Sequence, residues 1–191
     1  MARLSALRRS VCWRLATLAF ACSVACAATA PSEYQVKAVF LFNFAHFVSW
    51  PVDTFRRPDA PFVIGVLGTD PFGSTLDDVV RGETIDHHPF VVKRFQDARE
   101  VADCNILFIG RTEPVRVDEA LAALKGRSVL TVSDADGSEH RGVMIGLFTE
   151  NNRVRLRIDL AAAKAANLTI SSNLLRPAEI IGGNAPPETA Q

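Results

Sequence analysis

The sequence predicts one α/β domain: a mixed, mostly parallel sheet flanked by helices, with an antiparallel hairpin near the C-terminus. Strand and helix patterns alternate along the chain, which is the order of an α/β sandwich. Residues 62–68 and 105–109 are continuous apolar runs, typical of strands that are covered on both faces. Residues 153–160 (RVRLRIDL) instead alternate between apolar and charged side chains. That alternation indicates the second arm of a hairpin with one solvent-exposed face.

The first element of the domain is a helix that begins after Pro31. Ser32 and Gln35 have the spacing of a capping box, in which each side chain bonds the backbone of the other residue. Pro51 excludes helical geometry at Trp50, so the helix is expected to stop just before it. The large apolar residues of this stretch are too many for a single stripe. We therefore expect a sheet on one face of the helix and room for a partner on another.

The other elements follow from periodicity and from turn residues. Short helical patterns bounded by turns or caps are expected at 76–80, 97–102, 119–125, 160–166 and 171–175. Further strands are expected at 84–85, 89–95, 128–132 and 143–149. The last of these strands is the first arm of the hairpin.

Residues 1–27 are predicted to be a signal peptide, with cleavage near residues 27–30. The stretch has a basic start, an apolar centre and an end rich in small residues, as secretory signals do. Its apolar run is shorter than the roughly 20 residues of a membrane span. A plain Sec signal is preferred over a twin-arginine signal at Arg8 and Arg9 and over a lipoprotein box ending at Cys26.

The folded domain is expected over residues 31–181, followed by a disordered tail at 182–191 that is rich in Gly, Pro and small polar residues. Loss of the signal takes the 21 basic side chains down to 17 against 21 acidic ones, a net charge of about −4. A mildly acidic domain lacks the electrostatic footprint for nucleic acid or anionic lipid. We expect no nucleic-acid binding and no membrane insertion after cleavage.

Cys104 is the cysteine that stays after cleavage, because Cys12, Cys22 and Cys26 lie in the signal. One cysteine cannot form an intrachain bridge, even in an oxidising compartment. Cys104 leads into a buried-strand pattern, so a small core residue is favoured over a reactive thiol.

The motifs of common enzyme classes are absent from the sequence. Gly65, Gly68 and Gly73 follow a predicted strand, but their spacing fits neither the dinucleotide fingerprint nor the phosphate loop. A tight turn explains them better. We expect no catalytic residue and no cofactor.

Two patterns in the sequence have some features of metal sites. His87 and His88 are neighbours in a segment predicted to be extended, so their side chains should point to opposite faces. Asp134 and Asp136 begin like a calcium loop, but the later ligands are missing, and a turn is favoured. We expect no metal site.

Five stretches carry a resemblance to a known family. They read VKAVFLFNFAHFVSWP, IGVLGTDPFG, DCNILFIG, SVLTVSD and GVMIGLFTENNRVRLRIDLAAAKAANLTISSNLLRPAEII. In this order they are similar to the blocks of the YfiR family of bacterial periplasmic regulators. The first and last blocks are the most specific, and together the five cover nearly all of the predicted domain.

The resemblance implies a non-enzymatic periplasmic protein of α/β fold. It implies that the partner is the periplasmic sensor domain of an inner-membrane diguanylate cyclase, whose cyclic-di-GMP output, and with it biofilm formation, the protein represses. It also allows a homodimer. A periplasmic sensor that binds a small molecule is the alternative function.

The resemblance also suggests site residues. The family places partner contacts partly in the C-terminal region, where Leu168, Ile170, Leu174 and Leu175 are candidates; the alternative is that they fill the core. Cys104 matches a family cysteine linked to redox control, but there is no second cysteine to pair with it after cleavage. Cys104 could then form a disulfide only with a cysteine of another chain.

Overall fold

The structure is a computed structural model that describes residues 31–55, 57–111 and 114–181. These residues belong to one compact unit that begins at Pro31. The predicted signal peptide at 1–27 and the predicted tail at 182–191 lie outside the described residues.

Helix α1, Glu33–Phe47, opens the domain with the predicted capping box. The Gln35 backbone N–H donates to the Ser32 hydroxyl, and the Ser32 backbone N–H donates to the Gln35 side chain at 2.7 Å. The helix ends two residues earlier than the proline suggests, because Val48 and Ser49 form strand β1. Strand β1 pairs antiparallel with β9, Thr169–Ile170, in a small separate ladder.

The remaining strands form a sheet in the order β10-β8-β7-β6-β5-β2-β4-β3. Their bounds are β2 Phe62–Leu67, β3 Thr84–Ile85, β4 His88–Phe95, β5 Ile106–Ile109, β6 Leu130–Ser133, β7 Ile145–Glu150, β8 Arg153–Asp159 and β10 Glu179–Ile181. Strands β4, β2, β5, β6 and β7 are parallel neighbours, whereas β7–β8 and β3–β4 are antiparallel. The predicted mixed, mostly parallel sheet with a C-terminal hairpin is confirmed.

Short helices connect the strands. They are α2 Thr75–Val80, α3 Pro114–Ala123, α4 Leu160–Ala165 and α5 Ser172–Leu175, with 3₁₀ turns at Val52–Thr54, Ala98–Asp103 and Ser138–Arg141. Asp159 caps α4 by accepting from the Ala162 backbone N–H at 2.9 Å. A carboxylate at this position satisfies one of the N–H groups that the first turn leaves open.

Two apolar cores cover the two faces of the sheet. Ile64 and Val66 of β2 belong to the core that contains α1, α2, α4 and α5. Val63 and Leu67 belong to the core that contains α3 and the 98–103 turn. Because side chains alternate along a strand, the continuous apolar run of β2 supplies both cores.

The hairpin of β7 and β8 has the predicted solvent-exposed face. Leu156 and Ile158 are buried, whereas Arg153 and Arg155 are exposed. Strand β10 then adds to β8 in parallel, and the Arg157 guanidinium bonds the Glu179 carboxylate across that pair at 3.0 Å. The C-terminal segment is thereby part of the main sheet.

Candidate functional site

The carboxyl ends of the parallel strands form one edge of the sheet, and the loops there carry polar residues. The chain runs from β2 to β4 on one side of β2 and then returns to β5 on the other side of β2. Open α/β sheets bind ligands at the edge where the strand order reverses in this way. The loops are closely packed at this point, because a Cβ on Gly110 would lie 2.8 Å from the Thr69 carbonyl oxygen.

A buried charged cluster joins α1 to the loop that follows β6. The Lys37 ammonium lies 2.8 Å from Asp134 Oδ2, and each of these side chains is only 1% exposed. Lys37 also lies 2.6 Å from the Glu33 carboxylate, one helical turn earlier. The Tyr34 hydroxyl donates to Asp134 Oδ2 at 3.0 Å, and its ring faces the ammonium at 4.7 Å.

The other oxygen of the same carboxylate, Oδ1, differs from Oδ2 in its contacts with the described residues. Asp134 Oδ1 is buried and accepts no hydrogen bond from the residues that the structure describes. The Arg111 guanidinium is 4.0 Å from Oδ2 and 70% exposed, at the rim of the cluster. A buried carboxylate oxygen without a hydrogen-bond donor costs free energy.

The cluster shifts the pKa values of its members. Burial opposes the charge of Lys37, but hydrogen bonds to Asp134 and Glu33 outweigh it and raise the pKa of Lys37. The bond from Lys37 lowers the pKa of Glu33. Burial, and then the bond to Asp134, raise the pKa of Tyr34. Lys37 and Glu33 are therefore charged, and Tyr34 is neutral, at neutral pH.

A cavity of about 350 Å³ opens beside this cluster. Its lining includes Lys37, Arg111, Asp134, Phe148 and Arg157. A smaller cavity of about 100 Å³ adjoins the same Asp134 and Phe148. The size is at the lower end of what small-molecule sites show.

The sequence pattern predicts a turn at Asp134 and does not reveal this cluster. Two signals were available in the sequence. Glu33 and Lys37 have the i,i+4 spacing of a helical ion pair, and Lys37 lies in a stretch that is otherwise almost entirely apolar. A lysine on such a helix needs a buried acidic partner, but only the folded chain shows that the partner is Asp134.

The described residues contain no group of three or more His, Cys, Asp or Glu side chains placed to hold a metal ion. The prediction that His87 and His88 both lie in extended chain is wrong, because His87 is in a turn with φ 71°. His88 begins β4 and stacks on Phe55, with ring centroids 3.7 Å apart, and its Nδ1 lies 2.6 Å from the Ala60 carbonyl oxygen.

The four C-terminal candidates belong to the α1 core. Leu168, Ile170 and Leu174 are buried, and Leu175 is partly exposed. The β1–β9 ladder brings this region beside the end of α1, where the Ser171 N–H donates to the Phe47 carbonyl at 2.8 Å. Of the four, Leu175 offers the most surface to a partner.

Cys104 lies just before β5 and is buried. Its thiol donates to the Val101 carbonyl at 2.9 Å. Burial raises the pKa of Cys104 to about 12. Because the thiolate is the reactive form, this environment opposes disulfide exchange.

We expect alkylation of native Cys104 to be slow. At pH 8 its thiolate fraction should be about 1,000-fold lower than that of an ordinary thiol. The measurement is the rate of labelling with a maleimide in buffer and, as the matched control on the same residue, in denaturant. Equal rates in the two conditions would show that the thiol is open in the native protein and would revive a bridge between chains.

Among the described residues, no helix is both long and apolar enough to cross a membrane. The search of curated proteins gave no match. The family model described as YfiR/HmsC-like matches residues 34–179, which include nearly every described element and three members of the charged cluster, Tyr34, Lys37 and Asp134. The chain belongs to the YfiR/HmsC-like family.

Proposed function

We propose that the protein is a non-enzymatic periplasmic regulator of cyclic-di-GMP signalling. It binds the periplasmic sensor domain of an inner-membrane diguanylate cyclase and represses synthesis of the second messenger, and with it biofilm formation. The observation that carries the proposal is family membership over residues 34–179. The secretory signal predicted at 1–27 supports the compartment.

The surface of α1 supports a binding role. Leu41 and Phe44 face the core and are fully buried. Val39 is 46% exposed, and Val36 and Phe40 beside it are partly exposed. Accessible apolar surface on a helix is typical of an association site.

The partner surface that we propose joins this face of α1 to the C-terminal region. In the C-terminal region, Leu175 is the candidate that is partly exposed. Leu168, Ile170 and Leu174 are buried beneath the surface. Repression requires only that the protein binds one conformation of the sensor domain better than another. We also predict a homodimer through the same surface. Light scattering of the purified protein measures its molar mass and therefore its oligomeric state.

The test is calorimetry with the purified periplasmic domain of the cyclase encoded nearest to this protein. We expect saturable binding with a micromolar or lower Kd, about −8 kcal/mol or better. Absence of binding between two folded partners would refute the repressor function.

Substitution of the C-terminal leucines tests where the partner binds. Leu175→Asp should weaken binding by about tenfold or more, because a buried contact loses apolar area and gains an unpaired charge. Leu174→Asp places that charge in the core and should unfold the domain. Val52→Asp, at a fully exposed position, is the matched control. Circular dichroism reports folding of each variant, and a folded Leu175→Asp protein with normal affinity would exclude this surface.

A further inference from the structure

A second cavity lies at the opposite edge of the sheet from the Lys37–Asp134 pair. Its volume is about 460 Å³, within the range of small-molecule sites. Val63 of β2 lines it, together with Asn105 and Val129, which come immediately before β5 and β6. Because these strands are parallel, the cavity adjoins their amino ends.

Asn105 presents an unused hydrogen-bond donor to this cavity. The residue is 7% exposed, and its side-chain Oδ1 accepts from the Val63 backbone N–H at 2.8 Å. That bond fixes which side of the carboxamide carries the oxygen and which carries Nδ2. Nδ2 bonds none of the described residues, yet it is not one of the enclosed polar atoms that lack a partner. Nδ2 therefore reaches solvent-accessible space, and the space that Asn105 lines is this cavity.

The backbone holds Asn105 in place before any ligand binds. Its N–H donates to the Val63 carbonyl, and its carbonyl accepts from the Leu130 N–H, both at 2.8 Å. Val63 and Leu130 belong to the two strands on either side of β5. A donor that is already fixed loses little conformational freedom on binding.

This donor selects a ligand that carries an acceptor. A carboxamide nitrogen donates two hydrogen bonds and accepts none. A cationic group also only donates, so it cannot bond to Asn105 Nδ2. Carbonyl and carboxylate oxygens both can.

The basic side chains of the lining favour an acceptor with a negative charge. They are Arg57, Lys93 and Arg127. Arg57 is engaged by Asp59 at 3.5 Å, whereas the Lys93 ammonium makes no ion pair within the described ranges. A carboxylate that accepts from Asn105 would gain this ammonium as its counter-charge.

The acidic side chains limit the ligand to one negative charge. Asp53 and Asp103 also line the cavity, and both are exposed. A dicarboxylate or a phosphate dianion would bring a second charge that Lys93 does not compensate and that these two carboxylates repel. A monoanion fits best.

The rest of the lining includes an apolar wall that suits a ring. Phe55, Pro61, Val63 and Val129 belong to it. Phe55 stacks on His88, with ring centroids 3.7 Å apart, and this contact holds one side of the wall in place. An apolar ligand body would gain free energy by leaving water here.

We propose that this cavity binds a small organic monocarboxylate with an apolar body, whose carboxylate accepts from Asn105 Nδ2 and pairs with Lys93. The proposal does not rest on repression of a cyclase. A failure of one leaves the other intact, because partner binding and carboxylate binding are measured in separate titrations.

Benzoate, benzamide and benzamidine test the head group on one ring, because they carry a negative charge, no charge and a positive charge. The measurements are calorimetry and thermal melting of the purified protein at constant ionic strength. Benzoate should bind at one site per chain, more tightly than the other two, and raise Tm by about 2 °C or more at ten times its Kd. No saturable binding of benzoate would overturn the proposal, as would benzamide or benzamidine binding as tightly as benzoate.

Asn105→Asp removes the donor and keeps the acceptor. The new carboxylate can still accept from the Val63 N–H, but its other oxygen replaces the N–H₂ group and repels benzoate. The affinity for benzoate should fall about tenfold or more. Asn173→Asp, the same change at an exposed position of α5, is the matched control and should bind normally. Normal affinity in an Asn105→Asp protein that is folded by circular dichroism, or an equal loss in Asn173→Asp, would overturn the assignment of this cavity.

Lys93→Gln decides the question if Asn105→Asp does not fold. Lys93 is exposed, so its replacement should leave the fold intact. The affinity for benzoate should fall about threefold or more, and the affinity for uncharged benzamide should not change. Lys164→Gln, at an exposed position of α4, is the matched control. An unchanged affinity of Lys93→Gln for benzoate would refute the role of this ammonium and with it the proposal.

Discussion

Lys37→Met should lower the free energy of unfolding by about 3–5 kcal/mol. Methionine keeps the length and apolar stem of the side chain but removes the ammonium from a site where both Lys37 and Asp134 are 1% exposed. The Asp134 carboxylate would then be buried with only the Tyr34 hydroxyl as a described donor. An uncompensated buried charge is one of the largest effects that a single substitution produces.

A double variant separates the charge from the packing. Lys37→Met combined with Asp134→Leu removes both charges, and we expect it to be more stable than Lys37→Met alone, because hydrophobic replacement of a buried pair is often neutral. Urea unfolding followed by circular dichroism measures each variant, and the cycle gives the coupling between the two residues. A loss below about 1 kcal/mol in the single variant would mean that water reaches the pair.

Phe108→Ala should cost about 3–5 kcal/mol, through lost burial and the cavity that is left. Phe108 lies in the central strand β5 and is fully buried in the α1 core. Its ring meets the ring of Phe72 edge-on, with centroids 4.8 Å apart. Phe72 belongs to the turn after β2, so the substitution should also loosen that turn.

Val91→Ala is the matched control for this second prediction. Val91 lies in β4, on the other side of β2 from β5, and is 37% exposed, so its truncation should change stability by less than about 1 kcal/mol. Chemical denaturation of both variants checks the contrast. Similar losses at the two positions would mean that β4 is covered in solution, and a small loss at Phe108 would mean that the core can collapse around the gap.

Much of the fold could be read from local pattern. The capping box at Ser32 and the positive φ of Gly126 after α3 follow from spacing and residue type. The strand at 62–67 follows from an apolar run, and the wet face of β8 follows from alternation. These features depend on neighbours within a few residues, which the sequence displays directly.

The pairing of Lys37 with Asp134 was decided by the tertiary structure, since 97 residues separate the two. The same holds for β1 and β9, whose two-residue strands are too short to show a pattern of their own. The sequence alone determined an α/β domain with an apolar first helix and a buried cysteine at position 104. Only the order of strands in the sheet placed the end of β6 next to α1, and that placement creates the charged cluster and its cavity. A buried charge requires a partner that is close in space, and this partner can be distant along the chain.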